Sequence, residues 1–139
     1  MTEYGYRRQF ETRWNDNDVY GHLNNTIYYE AMDTTITHWL ITEAGYSLGE
    51  GDTMAFCVSS SCQFAASGAF PDTLRVELGT GRVGSTSVAW KLGIFRESDG
   101  ELLANGEFVH VFVGSETKRP VPIPAGIRAA IEAQLVGAE

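Results

Sequence analysis

Between Thr26 and Ala44 the apolar residues Tyr28, Met32, Ile36, Trp39 and Leu40 recur at steps of 4, 4, 3 and 1. That is the spacing of one face of an α-helix. Glu30, Asp33, Thr34 and Thr37 fall largely off the stripe. Asn24 or Asn25 offers an N-cap, because an amide side chain can accept a backbone N–H of the first turn, and Gly45 offers a C-cap. The spacing predicts one long helix over 26–44 with its stripe in a core.

After a Gly-rich connector from Tyr46 to Thr53 the period drops to two. Met54 to Ala65 places Phe56, Val58, Ser60, Cys62 and Phe64 on one face. Thr73 to Val83 alternates Leu74, Val76 and Leu78, and Ser85 to Arg96 alternates Val88, Trp90, Leu92 and Ile94. Glu101 to Val113 carries Phe108, His110 and Phe112 on one face and Val109, Val111 and Val113 on the other. Turn residues at Gly81 to Ser85 and at Ser98-Asp99-Gly100 make the last two strand pairs antiparallel hairpins. Tyr4 to Trp14 mixes aromatic and charged residues and can form a first strand, and Asn15 to Asn25 is too rich in Asn and Asp for a strand and reads as a loop. Pro120, Pro122 and Pro124 keep the chain extended before a short amphipathic helix, Ala125 to Leu135.

The pattern is an α+β domain: one long helix against a five-stranded antiparallel sheet, with a short C-terminal helix. The strands at 85–96 and 101–113 read as apolar on both faces, more than one helix can cover, which predicts a second copy of the chain against them.

Length and charge narrow the classes of function. A chain of 139 residues is a single domain, residues 1–139, large enough for its own core. The formal net charge of −8 argues against nucleic-acid binding, which needs a basic face. It leaves room for a local basic cluster that holds one anionic ligand. No apolar run reaches the roughly 18 residues of a membrane span, and the N-terminus lacks the apolar core of a signal peptide. Cys57 and Cys62 lie in one predicted strand, about 16 Å apart on opposite faces, too far for a disulfide. They read as free buried thiols of a cytoplasmic protein. There is no GxSxG motif, and Gly79-Thr80-Gly81-Arg82-Val83-Gly84 fits GxGxxG only by letter, at a strand turn instead of a helix start.

The densest polar cluster runs from Asn15 to Asn25, and three readings of it compete. As a calcium loop, Asp16, Asp18 and Gly21 fit, but Tyr20 and Ile27 stand where ligands are required. As a turn and helix cap, the Asn and Asp residues need no further role, though that explains two carboxylates beside His22 less well. As a catalytic loop, Asp18 supplies a base or nucleophile, and the helix start near Asn25 supplies backbone N–H groups at the positive end of a dipole. His22 then orients Asp18 or touches substrate.

The run Asp16-Asn17-Asp18-Val19-Tyr20-Gly21-His22-Leu23-Asn24-Asn25-Thr26-Ile27-Tyr28 resembles the DxDxxGHxNNxxY signature of hot-dog-fold acyl-CoA thioesterases, the relatives of 4-hydroxybenzoyl-CoA thioesterase. The element order resembles theirs as well, a curved antiparallel sheet wrapped around one long helix, over residues 5 to 115. The resemblance implies that an acyl-CoA is hydrolysed to free acid and CoA, with no metal or organic cofactor. It implies Asp18 as the catalytic carboxylate, acting as nucleophile or general base, and a backbone N–H near Asn25 as the oxyanion donor. It gives His22 and Asn24 to the same loop and a structural role to Asp16. It implies a site shared across a homodimer or a dimer of dimers.

Substrate-lining candidates are Tyr28 on the helix and Ser60, with Ser59 and Ser61, on the strand after it. Candidates for the CoA phosphates are Arg82, Lys118, Arg119 and Arg128. His38 is expected to be partly exposed and His110 to be a satisfied core histidine. The rival readings are an acyl-carrier-protein thioesterase, a hot-dog hydratase and a non-catalytic acyl-CoA binding module.

Overall fold

The computed structural model describes residues 4–47 and 51–135, so the predicted connector lies partly outside the described residues. Five strands, β1 (Tyr6–Glu11), β2 (Thr53–Phe64), β3 (Thr73–Val83), β4 (Ser87–Arg96) and β5 (Leu102–Gly114), form one antiparallel sheet in the order β1-β3-β4-β5-β2. The sheet curves around α1 (Asn25–Thr42), and α2 (Ala125–Gln134) packs against the same core. This is the hot-dog arrangement that the element order implied.

The helical stripe is the reason for the fold. Tyr28, Met32, Ile36, Trp39 and Leu40 are all buried and meet the alternating residues of β3 and β4, from Leu74 to Ile94. Burying each such side chain contributes about 1.5–3 kcal/mol. Trp39 meets Trp90 edge-on at 5.8 Å, and its indole N–H donates to the Gln134 side chain of α2 at 3.0 Å. Gly106 of β5 lets α1 come close: a Cβ there would stand 2.6 Å from the Met32 sulfur and 2.8 Å from the Ser61 carbonyl oxygen.

Three expectations change. The helix is capped at Glu43 instead of Gly45, because the Ala44 and Tyr46 N–H groups fold back onto the carbonyls of Trp39 and Leu40. The strict alternation of β2 is broken by a bulge between Cys57 and Ser59. Before the bulge Cys57 lies opposite the inward His110, and after it Cys62 lies opposite Gly106. Both thiols are therefore on the helix-facing side, not on opposite faces, and Cys57 is exposed, not buried. Phe56 is moved to the outer face, opposite Val111. Finally, β4 is not apolar on its second face. Lys91 there pairs with Glu107 at 3.0 Å, and Phe95 lies under the Arg75 guanidinium at 4.9 Å. The apolar outer patch is narrower than predicted and centres on Val109 and Val111 of β5 with Phe56 of β2.

Candidate active site

The chain leaves β1, makes one 3₁₀ turn at Trp14–Asp16, and closes a tight turn from Asp18 to His22 before α1 begins. The Asp18 N–H donates to the His22 carbonyl at 2.7 Å, and the Gly21 N–H to the Asp18 carbonyl at 3.1 Å. Gly21 has φ +80°, a left-handed conformation that glycine adopts at no steric cost. The turn aims two backbone donors at the carboxylate: Asp18 Oδ1 accepts the Tyr20 N–H at 2.9 Å and the His22 N–H at 3.4 Å. Among the described residues no donor lies against Oδ2, and Asp18 is only half-buried. His22 thus reaches Asp18 through its backbone, while its imidazole is exposed.

The helix start is built by Asn24. Its Oδ1 accepts the Thr26 N–H and the Thr26 hydroxyl, each at 3.0 Å, and its carbonyl accepts the Ile27 N–H at 2.9 Å. The Asn24 side chain is spent on capping. The N–H of Asn25, the first helical residue, has no acceptor among the described residues. The motif thus sets the Asp18 carboxylate on a compact loop directly before the N-terminal donors of α1.

A second segment, between β2 and β3, braces this loop. The Leu23 N–H donates to the Gly68 carbonyl at 2.9 Å, and the Phe70 N–H to Asn17 Oδ1 at 3.0 Å. The Tyr28 hydroxyl accepts the Gly68 N–H at 3.0 Å, and its ring meets Phe64 at 5.3 Å. Burial raises the Tyr28 phenol above its ordinary value, with the Gly68 bond opposing. Tyr28 is a buried strut of the site, not an exposed face of it. The sequence motif contains Tyr28 and Asn17, but their partners lie some 40 to 53 residues away and leave no local signal. Arg13 was also missed. It donates to Asp16 through its backbone N–H and through Nη2, each at 2.8 Å, and through Nε at 3.2 Å.

Ser60 lies on the helix-facing side of β2, opposite Phe108, and is exposed. The basic candidates are elsewhere. Arg82 closes β3, and Lys118 and Arg119 follow β5 beside the start of β2, where the Ser115 N–H donates to Asp52 and the Gly114 N–H to Arg119. The Lys118 ammonium lies on the Ser115 carbonyl and 3.6 Å from the Met54 sulfur. Arg128 holds the Gly84 carbonyl. Lys118 and Arg119 are on the side of the start of β2, where the Tyr46 hydroxyl, just past the C-terminal end of α1, meets the Thr53 carbonyl. Asp18 precedes the N-terminal end of α1, a helix of 18 residues and so about 27 Å long.

A family model described as the thioesterase-like superfamily matches residues 12–131. No curated protein matches the sequence. Among solved structures, a Pseudomonas aeruginosa protein, PA5185, is similar at 40% identity and a TM-score of 0.92, over 99% of this chain and 96% of that one. A 1,4-dihydroxy-2-naphthoyl-CoA thioesterase from Synechocystis has a TM-score of 0.84 at 21% identity, over 91% of this chain and 94% of its own. A Staphylococcus aureus protein in complex with CoA has a TM-score of 0.84 at 16% identity, over 91% of this chain and 81% of its own. At those two identities the likeness is one of fold.

Proposed function

Since the chain belongs to the thioesterase-like superfamily, and is on that ground a thioester hydrolase, we propose that it cleaves an acyl-CoA to free acid and CoA. Asp18 is the nucleophile or general base, and the Asn25 N–H is the donor to the thioester oxygen. The observation that carries this reading is the Asn25 N–H, without an acceptor among the described residues, at the positive end of an 18-residue helix, directly after the loop that holds the Asp18 carboxylate. Backbone donors fixed before the reaction stabilise a developing oxyanion without reorganising. As base, Asp18 takes a proton from water, whose oxygen adds to the carbonyl carbon, and the tetrahedral intermediate expels the CoA thiolate. As nucleophile, Asp18 Oδ2 forms an acyl anhydride and releases the thiolate, and water then cleaves the anhydride. The names of a naphthoyl-CoA thioesterase and of a CoA-bound protein among the neighbours support a CoA thioester as substrate.

A homodimer completes the site in this reading. β2 is an edge strand, exposed along most of its length, and two such edges can pair antiparallel. That pairing sets the start of one β2 beside the end of the other. Lys118 and Arg119 of the partner subunit then approach the Asp18 loop, where they meet the CoA phosphates, and Ser60 lines the seam.

The test is a panel of acyl-CoAs assayed with a free-thiol reagent. Asp18→Asn is expected to lose on the order of 10²-fold or more in kcat with the fold intact, as removal of a base or nucleophile does. His22→Ala keeps the backbone bond to Asp18 and is expected to lose less. Activity of Asp18→Asn within a few-fold of wild type removes Asp18 from the mechanism, and binding of acyl-CoA without turnover by the wild type makes the protein a binding module.

A further inference from the structure

Asp16 is a buried, strongly held carboxylate near the site that the mechanism above does not use. Asp16 is 1% exposed and has Arg13 as its cation, with three donors converging on the carboxylate from the Arg13 backbone and guanidinium. The backbone of Asp16 works too. Its N–H donates to the Arg13 carbonyl at 2.9 Å, and its carbonyl accepts the Asn24 N–H at 2.9 Å. Residue 16 thus ties Arg13, at the start of the 3₁₀ turn after β1, to the helix cap at Asn24, and the Asp18 turn hangs between those two ties. Isolated pairing of Asn17 with Leu23 closes the same ring.

From this geometry we propose that the Arg13–Asp16 pair is a positioning element that fixes the Asp18 carboxylate relative to the Asn25 N–H, and so acts on kcat. The proposal rests on the reading of Asp18 and Asn25 given above. The carboxylate and the oxyanion donor belong to different segments, a loop and a helix. Their separation is set by whatever joins the segments, and the Asp16 backbone makes that joint. The carboxylate holds the joint in place. Without Arg13, a carboxylate in this pocket is costly unless it takes a proton, because burial alone raises its pKa. With Arg13 the direction reverses: the side-chain and backbone hydrogen bonds and the guanidinium charge outweigh burial and hold the group below the usual carboxylate range. The three donors from Arg13 thus favour the ionised form of Asp16, the form that keeps the joint closed. A misplacement of about 1 Å between reacting groups can cost on the order of 10²-fold in rate.

The experiment compares Asp16→Asn, Arg13→Ala, Arg13→Lys and Asp18→Asn in kcat, KM, circular dichroism and pH profile, on the intact protein. Arg13 has a side chain 65% exposed, so Arg13→Ala is expected to fold even if Asp16→Asn does not. Arg13→Ala is expected to lower kcat about tenfold or more with KM changed less than about threefold, and to move the acid limb of the pH profile upward as Asp16 becomes protonatable. Arg13→Lys keeps a charge and one donor and is expected to recover most of kcat. An Arg13→Ala enzyme with wild-type kcat and an unmoved acid limb overturns the proposal, as does a loss confined to KM. An active Asp18→Asn instead overturns the mechanism beneath it, and that outcome is separate from the others.

Discussion

His110 illustrates how one side chain is fixed by neighbours that the sequence does not place beside it. Its Nδ1 accepts the Trp90 indole N–H at 3.1 Å, so the neutral ring carries its hydrogen on Nε2. Burial pushes its pKa below the ordinary 6.5, against an opposing pull from Asp33. The unfolded chain therefore binds the proton more readily than the fold does. The contribution of His110 to stability is whole above about 6.5 and is lost as pH falls through the lower folded value. The Tm is expected to drop as pH is lowered from about 7 to 5, and to drop less in His110→Gln, whose amide oxygen can still accept from Trp90. An equal drop in both proteins, followed by thermal melts, assigns the acid sensitivity elsewhere. His38, expected to be partly exposed, is exposed and hydrogen-bonds the Tyr6 hydroxyl at 2.7 Å.

Among the elements, β3 and α1 were legible because each carries its whole instruction locally. The predicted span of β3, Thr73 to Val83, is the observed one, and every residue of the helical stripe is buried. β2 was less legible. Its bulge depends on which β5 residue each β2 residue faces, and that choice is made across the sheet, so a period-two reading carried through it misassigns Phe56 and Cys57. The close approach of α1 to β5 is likewise a cross-element matter. Gly106→Ala is expected to cost about 1–3 kcal/mol, because the added methyl meets a backbone carbonyl as well as the flexible Met32 side chain. Denaturant titration checks this, and an unchanged midpoint means the helix can shift without loss.

At the scale of the whole molecule, the proposed site depends on the ends of α1. Asp18 precedes its start, and Lys118 and Arg119 lie beside the start of β2, near the end of the helix, so the proposed site, if it uses both, draws on two chains. This is tested by mixing Asp18→Asn with a Lys118→Ala/Arg119→Ala protein after co-refolding, at substrate below KM. If the cations come from the partner, mixed dimers hold one complete site, and activity is expected to rise to about a quarter of wild type. If the cations served their own chain, neither site in a mixed dimer would be complete and mixing would restore nothing. Light scattering that finds a monomer at micromolar concentration also removes the shared site.

The sequence by itself determined the elements and the position of the polar loop before the helix. A 3.6-residue stripe, four alternating runs and the DxDxxGHxNN loop before the helix are local patterns, and local patterns survive without a partner. Capping at Asn24 and the turn at Gly21 belong to the same class, because both are bonds between residues a few positions apart. Only the tertiary structure decided the rest. The bulge in β2, the clamp of the Gly68 segment on Leu23 and Tyr28, and the neutral His110 under Trp90 all arise where segments far apart in sequence meet. Side-chain periodicity says which face of an element turns inward. What that face then touches is set by the order and register in which the strands pair, and those are chosen by the packed chain as a whole.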